Sequence, residues 1–288
     1  MIGRLFLPLC LWLGLASCAQ DAAPAVTGHP ALWSVRNEEG ATVGWLFGTV
    51  HVLPDGVEWQ FAALDDAIAR AGVLVVEVGN LADPVALQAV FERLSRDNAP
   101  GTPIAARIDP SRLDTYRRLA GSTQQLDAME TWAAAIALAQ AAQTGDAGNG
   151  ADRALIAQFD GRSVVELEGA AQQFGVFDAM PEKEQRDFLD AVLKEAADRR
   201  TDTSELALAW QRGDLATMER ITGDGMLADP ELRATLLTNR NRAWAAKIVP
   251  LLHLGKRPLV AVGAGHMIGA DGLPALLGRA GYTIVRLP

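Results

Sequence analysis

The chain has 288 residues, 49% of them hydrophobic, and carries 26 Lys and Arg against 35 Asp and Glu for a net charge of −9. That acidic balance excludes nucleic acid as a partner, because such binding draws its affinity from Lys and Arg on phosphate. Only two cysteines are present, Cys10 and Cys18, so a disulfide framework and a thiolate zinc cluster are excluded as well.

Arg4 and the apolar run 5–15 make a charged n-region and a hydrophobic stretch of signal-peptide length, too short to span a bilayer. Leu15-Ala16-Ser17-Cys18 follows and resembles the bacterial lipobox, in which the cysteine is acylated and becomes the mature N-terminus. The expectation is a signal peptide over residues 1–17, a lipidated tether over 18–28 and a folded domain over 29–288. Cleavage would remove Arg4 and Cys10 and bring the net charge to −10. Cys18 would then carry lipid and have no disulfide partner. Ala19, rather than aspartate, follows it; by the same resemblance the destination is the outer membrane, facing the periplasm. After the signal, no run is long enough for a transmembrane helix.

Residues 31–37 and 41–47 read as two strands joined through Glu38-Glu39-Gly40, a hairpin. The second strand leads into Gly48-Thr49-Val50-His51. Over 55–71 the period changes, with Val57, Phe61, Leu64 and Ile68 at helical spacing, and Gly72 ends the helix. Val73-Leu74-Val75-Val76 is apolar without alternation, as in a strand buried on both faces, and it runs straight into Glu77. Asp83 and Pro84 make a helix N-cap and first turn. Helical patterns follow over 109–119, 130–142, 153–159, 181–199, 205–211 and 230–248, interrupted by a strand at 163–167. Residues 258–262 are a buried strand entering Gly263-Ala264-Gly265-His266, followed by a helix at 273–279 and a strand at 283–287. Strands and helices alternate at both ends around a helical middle. This predicts an α/β fold: a central, mostly buried sheet covered by helices, with a large helical insertion.

His51 and His266 are two of only four histidines, and each ends a phrase that leaves a strand through glycine (Gly48, Gly263). Neutral imidazole is the commonest protein metal ligand. Glu77 also follows a strand, and in open α/β sheets ligands bind at that edge. Two imidazoles and a carboxylate, with water in the fourth position, form a common catalytic metal set. Taken singly, a histidine after a strand is more often a hydrogen-bonded structural residue than a ligand. Arg240 interrupts the apolar stripe of Leu236, Trp244 and Ile248. It reads either as a packed edge residue or as a group that clamps a substrate carboxylate or stabilises an oxyanion. Glu166 and Glu168 flank Leu167 and, by alternation, share a face; Glu168, nearer the strand end, is the better candidate for a second carboxylate at the edge, with a surface or capping role equally open. His29 and His253 receive no role. No Gly-Xaa-Ser-Xaa-Gly elbow, HExxH helix or Gly-Lys-Thr/Ser loop is present in the sequence.

The ordered set Gly48-Thr49-Val50-His51, Glu77, Leu167-Glu168, Arg240-Asn241 with Trp244, and Val262-Gly263-Ala264-Gly265-His266 resembles the TraB/GumN family, which is similar to the Tiki metalloproteases that act on Wnt proteins. The resemblance implies a peptidase-like, metal-dependent hydrolase with His51, Glu77 and His266 on the metal and Glu77, Arg240 and Asn241 in the chemistry. Thr49, Glu168, Gly48 and Gly263 are secondary candidates. Manganese or cobalt is the metal expected from the Tiki side, zinc a further one, and a peptide or protein the substrate. Many relatives carry an acid two positions past the strand glutamate; here Gly79 stands there and Asn80 follows. The wider superfamily also resembles erythromycin esterases and a haem-binding lipoprotein. A binding lipoprotein with His51 or His266 as an axial ligand is therefore the alternative reading, and a catalytically dead relative a third.

Overall fold

A computed structural model of the chain describes residues 28–79, 83–96, 102–121, 126–143, 147–198 and 203–288. The expected signal peptide, lipobox and Cys18 lie outside these residues, as does Asn80. Two strands, β1 (Leu32–Arg36) and β2 (Thr42–Thr49), form the hairpin, followed by helix α1 (Ala62–Arg70) and strand β3 (Val73–Val76). The middle of the chain holds α2 (Pro84–Leu94), α3 (Leu113–Ala120), α4 (Thr131–Ala142) and α5 (Ala151–Gln158), then strand β4 (Val164–Glu166). Helices α6 (Ala170–Asp178), α7 (Glu182–Asp198), α8 (Thr203–Arg212), α9 (Leu215–Asp224) and α10 (Pro230–Arg233) come next. Finally come α11 (Asn239–His253), β5 (Pro258–Gly263), α12 (Leu273–Arg279) and β6 (Thr283–Arg286).

The six strands form one mixed sheet in the order β4-β3-β5-β2-β1-β6. Strands β4, β3, β5 and β2 run parallel to one another, while β1 is antiparallel to both β2 and β6. The parallel part is covered on both faces, which explains its unbroken apolar runs. Leu74, Val76, Leu259 and Ala261 pack with Leu64 and Ile68 of α1 and Leu155 of α5 on one face. Val73, Val75, Val260 and Val262 pack with Trp244, Ile248 and Leu252 of α11 on the other. The helical insertion has a core of its own, where Leu138 of α4 meets Phe188, Leu189 and Leu193 of α7. Among the described residues no helix is long and apolar enough to cross a membrane.

Two helices begin or continue differently from the sequence expectation. The 55–71 pattern is helical only from Ala62. Gly56 takes a positive φ of 74°, and buried Trp59 packs on Phe47 and Trp210 from a non-helical segment, so core packing overrides the 3.6-residue period there. The 230–248 pattern is broken by a π-helical turn at Ala234–Thr238 before α11 runs on to His253.

Candidate functional site

Register brings the strand ends together. Thr49 of β2 pairs with Gly263 of β5, and Val76 of β3 pairs with Ala261. The residues that follow, His51, Glu77 and His266, therefore leave the sheet along one edge of three adjacent parallel strands. Gly48 is small for a steric reason: a Cβ there would lie 3.0 Å from Ala264 Cα, so the absence of a side chain lets the turn bearing His266 close over β2. At Gly263 a Cβ would lie 3.2 Å from Glu77 Oε1 and 3.8 Å from His266 Cδ2, which locates both side chains beside one backbone position.

Glu77 is buried and accepts three hydrogen bonds. Its Oε1 accepts from the Gly263 amide at 2.8 Å, and its Oε2 from Arg240 Nη2 at 2.9 Å and Gln173 Nε2 at 3.0 Å. Burial acts to raise its pKa, but His266, Arg240, His51 and the Gly263 amide outweigh it, so the group lies below the ordinary carboxylate value. His266 donates from Nδ1 to Asn241 Oδ1 at 2.6 Å, while Asn241 Nδ2 donates to the Asp271 carbonyl at 2.8 Å. That bond leaves the Nε2 lone pair facing Arg240 Nη1 at 3.3 Å. Burial pushes the His266 pKa down to about 4, so the ring is neutral at physiological pH.

Arg240 links both carboxylates. Its Nε and Nη2 meet the Glu168 oxygens at 2.9 and 2.8 Å, and Nη2 also meets Glu77. Trp244 Nε1 donates to Glu168 Oε1 at 2.9 Å, and the Trp244 ring lies 4.7 Å from the guanidinium. Nη1 is shared between the Leu236 carbonyl and His266. These bonds use all five N–H groups of a guanidinium. Arg240 is thus tied within the chain rather than free to clamp a substrate carboxylate.

His51 is separate from that network. Its Nδ1 meets Asp152 Oδ2 at 2.7 Å, with the His51 side chain 61% exposed and Asp152 only 8%. The bond to Asp152 holds the His51 pKa above its ordinary value. Both residues line a cavity of about 260 Å³ together with Thr49, Glu77, Gln173 and Gln140. His266 and Arg240 do not line that cavity. Two buried oxygens of the lining, Thr49 Oγ1 and Asp152 Oδ1, have no hydrogen-bond partner among the described residues. Among the described residues no three His, Cys, Asp or Glu side chains stand close enough to hold a metal ion. The three strand-end donors share an edge without converging on one point.

The remaining candidates separate. Glu166 and Glu168 do not act together, because β4 ends at Glu166 and strand alternation stops there. Glu166 accepts from the Gly79 amide at 2.6 Å, and a side chain at position 79 would begin 3.0 Å from its Oε1. The Glu166 carboxylate therefore occupies the space an acid at 79 would need. His29 stacks on Phe61 with ring centroids 3.8 Å apart, and His253 lies beside Tyr282, both outside the site. Asp152 and Gln173 are functional candidates that sequence reasoning missed. Asp152 sits in the first turn of α5, where an acid is ordinarily a helix-dipole partner, and Gln173 lies in α6, a helix the sequence pattern did not mark.

A family model described as the TraB/PrgY/gumN family matches residues 31–286. No curated protein and no solved structure matches the chain.

Proposed function

The chain belongs to the TraB/PrgY/gumN family, and on that premise we propose that it is a divalent-metal-dependent hydrolase cleaving a peptide-type bond, tethered in the bacterial envelope through Cys18. One observation carries the reading. Each strand-end histidine has its Nδ1 tied to a side-chain oxygen, Asp152 for His51 and Asn241 for His266, which is how outer-shell acceptors hold metal-binding imidazoles. His51 fits best, because Nδ1–H on Asp152 leaves Nε2 as a lone-pair donor on the cavity side. Glu77 fits through the one lone pair its three hydrogen bonds leave over. His266 fits only if Arg240 yields its Nε2. A manganese, cobalt or zinc ion held there would polarise the scissile carbonyl and lower the pKa of an attacking water.

The chain's own groups do the rest. The Gly263 amide and Gln173 fix the Glu77 carboxylate at the cavity wall, where it is placed to accept a proton from that water. Asp152 holds His51 in one tautomer and orientation. Thr49 Oγ1, buried and without a hydrogen-bond partner among the described residues, offers a hydrogen bond to a bound amide. Arg240 acts on the reaction through Glu77, by holding that carboxylate ionised and in place. Metal titration by calorimetry and cleavage of a peptide library, each with wild type, His51→Ala and Glu77→Gln, test the reading. Chelator-sensitive cleavage that both variants lose supports it. Cleavage that survives chelation, or equal metal binding by all three proteins, would overturn it.

A further inference from the structure

Asp152 and Thr49, which line the cavity, are only 6% and 2% exposed, and the described residues leave Asp152 Oδ1 and Thr49 Oγ1 without a hydrogen bond. Such atoms are exceptions in folded chains, because an unmet hydrogen bond away from bulk water is costly. The backbone brings the two residues side by side: the Ala151 amide donates to the Val50 carbonyl at 2.9 Å, which seats the first turn of α5 against the phrase 49–51. Asp152 gives Oδ2 alone to His51. Gly150 leaves room beside the other oxygen, since a Cβ there would lie 2.7 Å from Oδ1. At about 260 Å³ the cavity is many times larger than a single water needs.

A carboxylate oxygen only accepts, so whatever meets Asp152 Oδ1 must bring an N–H or O–H, whereas the Thr49 hydroxyl both donates and accepts. Beside His51, the ionisable side chains of the lining are Glu77 and Asp152 against Arg153, two carboxylates to one guanidinium, a balance that favours a cationic ligand. We propose that the cavity recognises a primary ammonium group of the substrate, held by Asp152 Oδ1 and Thr49 Oγ1. An ammonium brings three donors and one positive charge. In the first residue of a peptide the ammonium and the carbonyl are one Cα apart, so the Thr49 hydroxyl can accept from the one and donate to the other. The substrate class is then a peptide with a free amino terminus; a lysine side chain is the other source of the same chemistry. The inference rests on the hydrolase reading for the bond that is cut, but recognition of the ammonium needs neither metal nor turnover.

The test is calorimetry on the full chain as wild type, Thr49→Val and Asp152→Asn, with chelator present so that neither coordination nor cleavage contributes. The ligands are alanyl-alaninamide, with a free α-ammonium, N-acetyl-alanyl-alaninamide, with none, and N-acetyl-lysinamide, with a side-chain ammonium only. Wild type is expected to bind an ammonium ligand at least about tenfold more tightly than the acetylated dipeptide, as for a hydrogen bond to a charged group. Tighter binding of alanyl-alaninamide assigns the amino terminus, and tighter binding of N-acetyl-lysinamide the lysine side chain. Asp152→Asn should abolish the preference, whereas a merely structural role would weaken all ligands alike. Thr49→Val should reduce it about fivefold. That variant keeps the shape and removes a buried hydroxyl, so its Tm should not fall, which keeps the test readable if Asp152→Asn folds poorly. Equal affinity for free and acetylated dipeptide, no binding of any ligand, or a preference that either variant leaves intact would overturn the proposal and leave solvent as the only occupant of the two oxygens. Cleavage that is absent or survives chelation would remove the hydrolase reading without moving these affinities, so the two fail separately.

Discussion

Glu168→Gln isolates the buried ion network. The Glu168 side chain is 2% exposed and accepts three hydrogen bonds, from Arg240 Nε, Arg240 Nη2 and Trp244 Nε1. Glutamine keeps the shape and removes the charge, and its amide nitrogen must face one of those N–H donors. Removing one partner of a buried ion pair costs about 3–5 kcal/mol when the other charge is left uncompensated; Arg240 keeps Glu77 at 2.9 Å, so the low end of that range is expected. The total is a large share of the roughly 5–15 kcal/mol by which domains are stable. At about 2–4 °C per kcal/mol for a chain of this size, Tm should fall by roughly 10 °C. Circular dichroism melts and urea titration at pH 7 measure it. Asp114→Asn is the control: it removes a pair with Arg117 whose side chains are 98% and 68% exposed, and it should leave Tm unchanged. A Glu168→Gln loss below about 1 kcal/mol would mean the network behaves like a surface pair, and the burial argument would fail.

Three further outcomes are expected. His266 titrates at about 4 in the native chain against an ordinary value of 6.5, so between those pH values the unfolded chain binds a proton that the native chain does not. Stability should therefore fall on acidification through that window, by about 1.4 kcal/mol per pH unit; urea unfolding at stepped pH should show the slope in wild type and not in His266→Gln. Gly263→Ala presses a methyl group against Glu77 Oε1 from 3.2 Å, and a misplaced carboxylate should cost turnover about tenfold or more while far-UV circular dichroism stays native. Cys18→Ser should move the protein from the membrane to the soluble fraction, and unchanged partitioning on fractionation would refute the anchor.

The parts of the fold carried by local pattern were legible. Val73–Val76 and Leu273–Arg279 have the bounds their residues suggest, because an unbroken apolar run and a glycine-flanked helical turn need no distant partner to declare themselves. Helix α6 did not, since Gly175 and two glutamines dilute its period. Helix α9 left one usable signal, the Asp214 cap on the Thr217 amide at 3.1 Å. At the site, the strand-end positions of His51, Glu77 and His266 followed from the runs before them. The pairing of His51 with Asp152 across 101 residues, and the saturation of Arg240 by partners on three other segments, are properties of packing that spacing along a chain does not encode.

The strand order has a consequence for how this protein comes into being. Strand β5, the next-to-last to leave the ribosome, is threaded between β2 and β3, which are made some two hundred residues earlier. Until it arrives, the segments ending in His51 and Glu77 have no common neighbour and half the sheet has an open seam. Assembly therefore waits on long-range closure, a slow step by topology. A fragment cut short before residue 258 would expose two unsatisfied strand edges and hold no site at all.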